Sequence, residues 1–250
     1  CGMGLNGRLK ALFFDLDGTL VEDGDSIQQA LTIACQVLQS RWPELDINEL
    51  AICYRQVSDM AWGDYDQHLR HLVAPEAMLA AIWRTTLSRW QLHDPLIERN
   101  AAEAYWQHRL NHCRPYSDVF PLLQSLANQF HLCLLTNGAP AMQRAKADAT
   151  GLPSFFHHIF VGGEFARGKP DVAIFEAALA AAQCSPWQAA HIGDSLVHDI
   201  AGARNAGILS IWLNRKGLSS SEALPPPDCE IETLHDLLPS LERFSASRQY

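Results

Sequence analysis

Five short apolar segments of the sequence each have the length of a β-strand, and each ends in glycine or polar residues. Helical segments separate most of them along the chain. Strands that alternate with helices in this way predict a doubly wound, parallel α/β sheet with helices on both faces. A last short strand at Cys229–Ile231 and a closing helix over 234–241 are also expected. The five predicted strands cover residues 10–14, 131–135, 159–161, 189–192 and 208–213, and the main helices cover residues 119–130, 140–150, 171–183 and 197–206.

The interval from residue 23 to residue 113 interrupts this alternation. It shows helical periodicity and no convincing strand: one apolar stripe runs from Ile27 to Leu38, and two amphipathic segments cover residues 77–90 and 96–110. The chain is therefore predicted to form a sheet domain of residues 1–22 and 114–250 with an inserted α-helical domain of residues 23–113. Because the two connections are short, hinge-like movement of the insert is expected.

Two acidic residues stand where the first predicted strand ends. Asp15 and Asp17 are separated by one residue, and Gly18 permits the turn that lets both side chains reach one site. In open α/β sheets, ligands bind at the carboxyl ends of the strands. A D-x-D pair alone is better explained as a polar loop after a core strand, so a functional role depends on the residues at the ends of the other strands.

Polar residues with related chemistry do stand at those strand ends. Thr136 and Asn137 come after the second strand, Lys169 lies in a G-K-P turn, and Asp194 and Asp199 belong to the sequence G-D-S-L-V-H-D. Each alone has an ordinary structural explanation as a turn residue, a solvated cation or a helix residue. Four successive groups of carboxylates, hydroxyl and lysine at strand ends instead favour phosphoryl transfer.

These four segments resemble, in order and spacing, the four motifs of the haloacid dehalogenase superfamily: D-L-D-G-T, T-N, K-P and G-D-S-x-x-x-D. The resemblance covers about residues 8–22 and 114–240, and the helical insert looks like the first class of cap domain in that superfamily. The turns after the second, third and fifth strands look similar to those of phosphatases that act on small cytosolic monoesters. The resemblance thus implies an enzyme that hydrolyses a small phosphorylated metabolite, either a sugar phosphate or a nucleotide.

The resemblance also implies a catalytic role for each motif residue. Asp15 would be the nucleophile that forms an aspartyl-phosphate, and Asp17 would be the general acid and later the general base. The Thr136 hydroxyl and the Asn137 main-chain amide would hold phosphate oxygens. Lys169 would neutralise both the phosphate and the nucleophile.

A divalent cation is the implied cofactor, because several anions must meet at one site. Mg²⁺ with oxygen ligands is expected. Its ligands would be Asp15, the main-chain carbonyl of Asp17 and Asp194, while Asp199 would act through a water molecule or orient the other ligands.

Three other functions stay open. A phosphomutase would use the same two acids, and the site could also have become a binding module without turnover. A 2-haloacid dehalogenase is less favoured, because dehalogenases of this type lack an acid two positions after the nucleophile, where this chain has Asp17.

Several conspicuous residues are expected to be structural. His191 lies within a predicted strand and His198 beside the last acid, where a lone histidine is more often packed than catalytic. Asp118 and Asp171 stand at the positions of helix N-caps. Residues 162–164 (G-G-E) are expected to form a turn, because they open neither a Walker-type nor a Rossmann fingerprint.

Composition excludes some partners. With 19 basic against 28 acidic residues, a formal charge of −9 and no basic block, nucleic acid is not expected as a partner. No apolar run approaches the roughly 18 residues of a membrane span, and the first residues lack the apolar centre of a signal peptide, so no membrane partner is expected. Seven scattered cysteines without metal-binding spacing favour reduced thiols and a cytoplasmic location.

Overall fold

A computed structural model of the protein describes residues 9–22, 24–63, 68–70, 72–219 and 226–247. The chain divides into two compact units. One combines Cys1–Glu22, Pro115–Asn137 and Thr150–Tyr250, and the other combines Asp23–Arg114 and Gly138–Ala149. We call them the sheet unit and the helical unit. The segment 138–149 therefore belongs to the helical unit, whereas the sequence analysis assigned it to the sheet domain.

The sheet unit is built on six parallel strands in the order β5-β4-β1-β6-β7-β8. The predicted parallel α/β sheet is confirmed, and the strand ends agree with the sequence analysis to within one residue. Two further strands of two residues each, β2 and β3, lie where the chain passes between the units. The strands are β1 (Ala11–Phe14), β2 (Val21–Glu22), β3 (Arg114–Pro115), β4 (His131–Thr136), β5 (His158–Val161), β6 (Ala189–Gly193), β7 (Leu209–Leu213) and β8 (Cys229–Ile231).

The direction in which the strands are added reverses at the middle of the sheet. After β1 the chain adds β4 and β5 on one side, and then returns to add β6, β7 and β8 on the other. All four residues of β1 are fully buried, as expected of a strand with helices on both faces. The carboxyl ends of β1, β4 and β6 consequently surround a topological switch point, where α/β proteins place their ligands.

The helices explain this burial. One face of the sheet, including Phe13 and Cys133, packs against Ile174 and Phe175 in a shared apolar cluster. The helices are α1 (Gly24–Arg41), α2 (Ile47–Gly63), α3 (Pro75–Ser88), α4 (Pro95–Asn111), α5 (Val119–Leu126), α6 (Pro140–Thr150), α7 (Val172–Ala181), α8 (Ala201–Asn205) and α9 (Leu237–Ser247).

Several helix boundaries differ from the sequence-based prediction; the largest difference is at α9, which was expected over 234–241 and covers Leu237–Ser247. Helix α5 ends at Leu126, four residues earlier than expected. The predicted helix over 197–206 begins instead with a wider π-helical turn, Leu196–Ile200, before α8. Such turns are rare and are frequently found at functional sites, and this one contains Asp199.

The two predicted N-caps have different outcomes. Asp171 caps α7, because its side chain accepts a hydrogen bond from the Ala173 backbone N–H at 3.0 Å. Asp118 stands at the N-cap position of α5, as predicted, but its side chain makes no capping bond to that helix. Its carboxylate instead accepts hydrogen bonds from Arg215 and from the backbone of Leu234.

The helical unit has its own apolar core. Helix α1 packs on α4, α3 packs on both α2 and α4, and apolar residues of α6 join the same cluster. Helix α2 was not among the predicted segments. Its start could have been recognised, because Asp46 accepts hydrogen bonds from the backbone N–H groups of Asn48 and Glu49, as an N-cap does.

No helix within the described residues is both long and apolar enough to cross a membrane. The cysteines of the described chain, Cys35, Cys53, Cys113, Cys133, Cys184 and Cys229, are all free thiols.

Candidate active site

Asp15 is the first residue after β1. Its backbone N–H donates to the Ile192 carbonyl at 3.0 Å, which continues the hydrogen bonding between β1 and β6 by one residue. Its side chain is 9% exposed, so the carboxylate sits at the switch point with little access to bulk water. A carboxylate in such a place needs specific partners.

Lys169 supplies the main partner. Its Nζ donates to Asp15 Oδ1 and to Asp199 Oδ1, each at 2.6 Å, and to the Leu135 carbonyl oxygen at 2.8 Å. These three bonds use all three ammonium protons, and the side chain is only 2% exposed. Lys169 is therefore not a solvated surface cation. It is a buried charge shared between two acidic residues that lie 184 positions apart in sequence.

Three carboxylates converge beside this lysine. Asp15, Asp194 and Asp199 each offer an oxygen, and these oxygens all lie within 4.8 Å of one another. Asp199 is the most engaged: Oδ1 accepts from Lys169 and His191, and Oδ2 accepts from the Ser195 backbone N–H. Asp15 and Asp194 are thus the better metal ligands, and Asp199 is better suited to orienting its neighbours.

The electrostatics of the group fit a divalent cation. Burial, together with the charges of Asp199 and Asp194, raises the pKa of Asp15 well above its ordinary value despite Lys169. Burial and the charge of Asp199 raise the pKa of Asp194 to about 6. One lysine therefore does not balance three carboxylates, and a hard cation with oxygen ligands would supply the missing positive charge.

The pKa values of Asp199 and Lys169 are shifted in the directions that favour the charged form of each side chain. Burial would raise the pKa of Asp199, but Lys169 and His191 outweigh it and hold that pKa below the usual range. Burial would lower the pKa of Lys169, yet the charges of Asp15 and Asp199 raise it. The lysine stays charged, and so does Asp199.

Asn137 positions the lysine from the backbone side. Its Nδ2 donates to the Lys169 carbonyl at 2.8 Å, and its Oδ1 accepts from the Lys169 N–H at 2.8 Å. From the sequence, a role is predicted only for the main-chain amide of Asn137. The side chain adds a second role, which the sequence does not reveal because residues 137 and 169 are distant along the chain.

Two glycines make room for this amide. A Cβ on Gly162 would lie 2.6 Å from Asn137 Oδ1, and one on Gly168 would lie 2.4 Å from the same atom. The segment Gly162–Glu164, expected to be a turn, forms a short 3₁₀ helix. Its first residue has to be small because Asn137 packs against it.

Gly162→Ala should therefore lower both stability and activity. The added methyl group would push Asn137 away from Lys169 and cost about 1–3 kcal/mol of unfolding free energy, measured by urea denaturation, with a parallel fall in kcat. Gly63→Ala is the matched control, because a Cβ at Gly63 meets no atom of the described residues within 4 Å. Equal behaviour of the two variants would contradict the role of Asn137.

The structure also locates the remaining predicted residues. Thr136 is the last residue of β4 and is 1% exposed. Asp17 is half-buried in the loop after Asp15, and Gly18 has a φ of +81°. A Cβ on Gly18 would lie 2.4 Å from Asp194 Oδ2. The glycine therefore allows both the turn and the close approach of this loop to Asp194.

Three supporting side chains were not assigned to the site from sequence. His191 is fully buried, and its Nε2 lies 3.0 Å from Asp199 Oδ1. Burial lowers the pKa of His191 despite the hydrogen bond with Asp199, so a neutral imidazole donates that bond. The Trp212 indole N–H donates to the Asp194 carbonyl at 2.9 Å, and His198 Nδ1 lies 3.2 Å from the Lys169 carbonyl. The expectation that His191 is packed is confirmed.

Comparison with known proteins identifies the family of the chain. The family model for haloacid dehalogenase-like hydrolases matches residues 9–207. The chain therefore belongs to the haloacid dehalogenase-like hydrolase family, and it is a hydrolase with the sheet architecture of that family.

Curated relatives and solved structures are similar over nearly the full length. The chain is 28% identical over 242 residues to N-acylneuraminate-9-phosphatase of Homo sapiens, covering 94% of each. It is 29% identical over 252 aligned positions to phosphoserine phosphatase of Thermus thermophilus, covering 92% of this chain and 98% of the relative. A crystal structure of 2-haloacid dehalogenase from Pseudomonas syringae superposes with a TM-score of 0.70 at 28% identity, covering 94% of this chain and 99% of that one.

Proposed function

We propose that the protein is a Mg²⁺-dependent phosphatase that hydrolyses a small phosphate monoester through an aspartyl-phosphate on Asp15. The single observation that carries this proposal is the sharing of buried Lys169 between Asp15 and Asp199, with Asp194 beside them, at the switch point of the sheet. A nucleophilic carboxylate, a fixed cation and further oxygen ligands are the parts that phosphoryl transfer requires.

Hydrolysis would proceed in two displacements. A carboxylate oxygen of Asp15 attacks phosphorus, and the bond between phosphorus and the alcohol oxygen breaks. Asp17 donates its proton to that oxygen, so the product leaves as a neutral alcohol. Asp17 then accepts a proton from a water molecule that attacks the aspartyl-phosphate, which releases inorganic phosphate and restores the Asp15 carboxylate.

The other predicted residues would hold the phosphoryl group during both displacements. The Thr136 hydroxyl and the Asn137 main-chain amide would donate hydrogen bonds to its oxygens. Lys169 would stabilise the charge that develops on them, because its ammonium group is already fixed next to Asp15. This preorganisation comes from the side chain of Asn137, which holds both backbone groups of Lys169.

Mg²⁺ is the proposed cation, with Asp15, Asp194 and the main-chain carbonyl of Asp17 as ligands and Asp199 as the residue that orients them. The oxygen donors present match its preference for hard ligands. When bound, the ion would offset the charges of the carboxylates and of the substrate phosphate.

The relatives indicate the class of substrate. Their names specify an N-acylneuraminate 9-phosphate and phosphoserine, both small phosphate monoesters. We propose a small phosphorylated metabolite, a sugar phosphate or a nucleotide, for this chain. The inserted helical unit, residues 23–113 in the sequence analysis, is the proposed α-helical cap domain that selects it.

Two alternatives use the same fold. A phosphomutase would need the same pair of acids but would return the phosphoryl group to an intermediate, so it would yield an isomer and no phosphate. Dehalogenation is the activity in the name of one structural relative. Asp17 favours the phosphatase over the dehalogenase, because a halide leaving group needs no proton.

The deciding experiment measures inorganic phosphate released from a panel of substrates. The panel contains N-acylneuraminate 9-phosphate, phosphoserine, sugar phosphates, nucleotides, flavin mononucleotide and p-nitrophenyl phosphate, each with Mg²⁺ and with a chelator. We expect release only with the metal. Isomerised sugar phosphate without release would identify the phosphomutase, and halide release from a 2-haloacid would identify the dehalogenase.

Metal binding should also be visible without turnover. Mg²⁺ should raise the Tm of the wild-type protein at pH 7.5, and Asp194→Asn should lose most of that shift. Because the pKa of Asp194 is about 6 before metal binds, protons compete for this carboxylate as the pH falls through 6. The Mg²⁺-dependent shift should therefore be smaller at pH 5 than at pH 7.5, as measured by differential scanning fluorimetry. An equal shift at both pH values would argue against this ligand.

A further inference from the structure

The loop that carries Asp17 is held by an arginine that follows β7. Arg215 lies just after β7, and its Nη2 donates to the carbonyl oxygen of Thr19 at 3.1 Å. Thr19 is two residues after Asp17 and directly after Gly18. Gly18 lies against Asp194. A displacement of this loop would therefore also alter the distance between Asp17 and the three carboxylates of Asp15, Asp194 and Asp199.

The guanidinium itself is held rigidly. Nη1 donates to Asp118 Oδ2 and Nη2 donates to Asp118 Oδ1, both at 2.9 Å, in a two-pronged ion pair. Its plane also lies over the Tyr116 ring, with Cζ 4.0 Å from the ring centroid. Asp118 is fixed in turn by the Leu234 backbone N–H at 3.0 Å. Burial would raise the pKa of Asp118, but the bonds from Arg215 and Leu234 outweigh it and lower that pKa.

The segments on both sides of Arg215 restrict it further. Asn214 Nδ2 donates to the Leu218 carbonyl, and Asn214 Oδ1 accepts from the Leu218 N–H, both at 2.8 Å, so the loop after β7 is closed. The Tyr116 N–H donates to the Leu20 carbonyl at 3.0 Å, a second contact to the loop that contains Asp17. Arg215 and Tyr116 thus hold two consecutive carbonyl groups of that loop.

We infer that Arg215 is a positioning residue for the proposed general acid: it holds the Asp17 loop where Asp17 can protonate the leaving group. The inference rests on the proposed function, since it assigns Arg215 a task in that reaction. Arg215 needs no contact with substrate for this task, because it acts through the backbone of Thr19.

This role predicts a selective loss of activity. An alkyl phosphate needs a proton on its leaving oxygen, whereas p-nitrophenolate departs without one. Arg215→Met should therefore lower kcat/KM about 10- to 100-fold for an alkyl phosphate of the panel, the cost typical of a misplaced catalytic group. It should lower kcat/KM for p-nitrophenyl phosphate by less than about threefold. The constant kcat/KM is the right measure, because it depends only on the steps from free enzyme and substrate up to release of the alcohol.

Three variants complete the test. Asp17→Asn is the reference and should show the same selectivity with a larger loss. Arg204→Met is the matched control, because Arg204 makes an exposed ion pair with Asp228 in the same unit. It should leave the ratio of the two kcat/KM values unchanged. Arg215→Lys should give an intermediate loss, because an ammonium group cannot hold both Asp118 oxygens and the Thr19 carbonyl.

The outcomes separate the two proposals. Selective loss in both Asp17→Asn and Arg215→Met supports the positioning role. Selective loss in Asp17→Asn alone overturns it and leaves the proposed function intact. No selectivity in Asp17→Asn overturns the general-acid role and the inference with it. If Arg215→Met does not fold, as judged by circular dichroism, Arg215→Lys and Asp118→Asn decide by the same ratio.

Discussion

Asp15→Asn should abolish phosphate release while leaving the protein folded. An amide has no anionic oxygen with which to attack phosphorus, so the aspartyl-phosphate cannot form. A fall in kcat on the order of 10⁴-fold or more is expected, as for other enzymes that lose a covalent nucleophile. The measurement is steady-state phosphate release from the best substrate of the panel, compared with circular dichroism and Tm of the same preparation.

The fold should tolerate this change because Asn has the shape of Asp. The substitution also removes one of three carboxylates that crowd the site, where Asp194 and Asp199 already raise the pKa of Asp15. Asp236→Asn is the matched control: it makes the same chemical change at an exposed residue of the same unit and should leave kcat unchanged. Full activity in Asp15→Asn would exclude the proposed mechanism.

A burst experiment would locate the lost step. Wild-type enzyme mixed with excess p-nitrophenyl phosphate should release p-nitrophenolate in a first turnover that forms the aspartyl-phosphate. Asp15→Asn should show no such burst. A burst that persists in the variant would mean that another residue accepts the phosphoryl group.

Much of the sheet could be predicted because its information is local. Each strand is a short apolar run that ends at a glycine or polar turn, and both features are visible without the structure. The motif residues after β1, β4 and β6 could be placed together for the same reason, since parallel strands end at one edge. The helix over Ile47–Gly63 was missed, although its N-cap Asp46 and the nearby Glu49 were readable.

The supporting contacts could not be predicted because they join distant residues. No local feature of the sequence indicates that the side chain of Asn137 binds the backbone N–H and carbonyl of Lys169. The contact of Arg215 with Thr19, which is 196 positions away, is equally invisible in the sequence. The position of Asp118 fits the local rule for N-caps, and the residue does stand at the N-cap of α5, but its side chain does not cap the helix. Its actual partners, Arg215 and Leu234, come from the other end of the chain.

The second large effect is expected at Lys169. Lys169→Met keeps an unbranched side chain, one atom shorter, but removes the charge that Asp15 and Asp199 share. Breaking a buried ion pair by deleting one partner costs about 3–5 kcal/mol of unfolding free energy. Loss of a fixed positive charge beside the phosphoryl group should lower kcat/KM by about 10²- to 10³-fold. Urea denaturation and steady-state kinetics measure the two effects.

The two effects of Lys169→Met should respond differently to conditions. Mg²⁺ should recover part of the lost stability, because it supplies charge to the same carboxylates, but it should not restore the rate. Asp199 has a lowered pKa in the folded protein, so its ion pair stabilises the fold at neutral pH and is lost on acidification. The stability difference from wild type should therefore shrink as the pH falls.

A matched lysine tests whether this effect is specific. Lys10→Met makes the same change at an exposed position before β1 and should alter unfolding free energy and kcat/KM little. If Lys169→Met were as stable as Lys10→Met without metal, the carboxylates around it would have to be neutral. Assembly of the site would then not depend on the charge of Lys169. If Lys169→Met were as active as Lys10→Met, other groups would have to stabilise the charge of the phosphoryl group, and the proposed role of Lys169 in the transition state would be excluded.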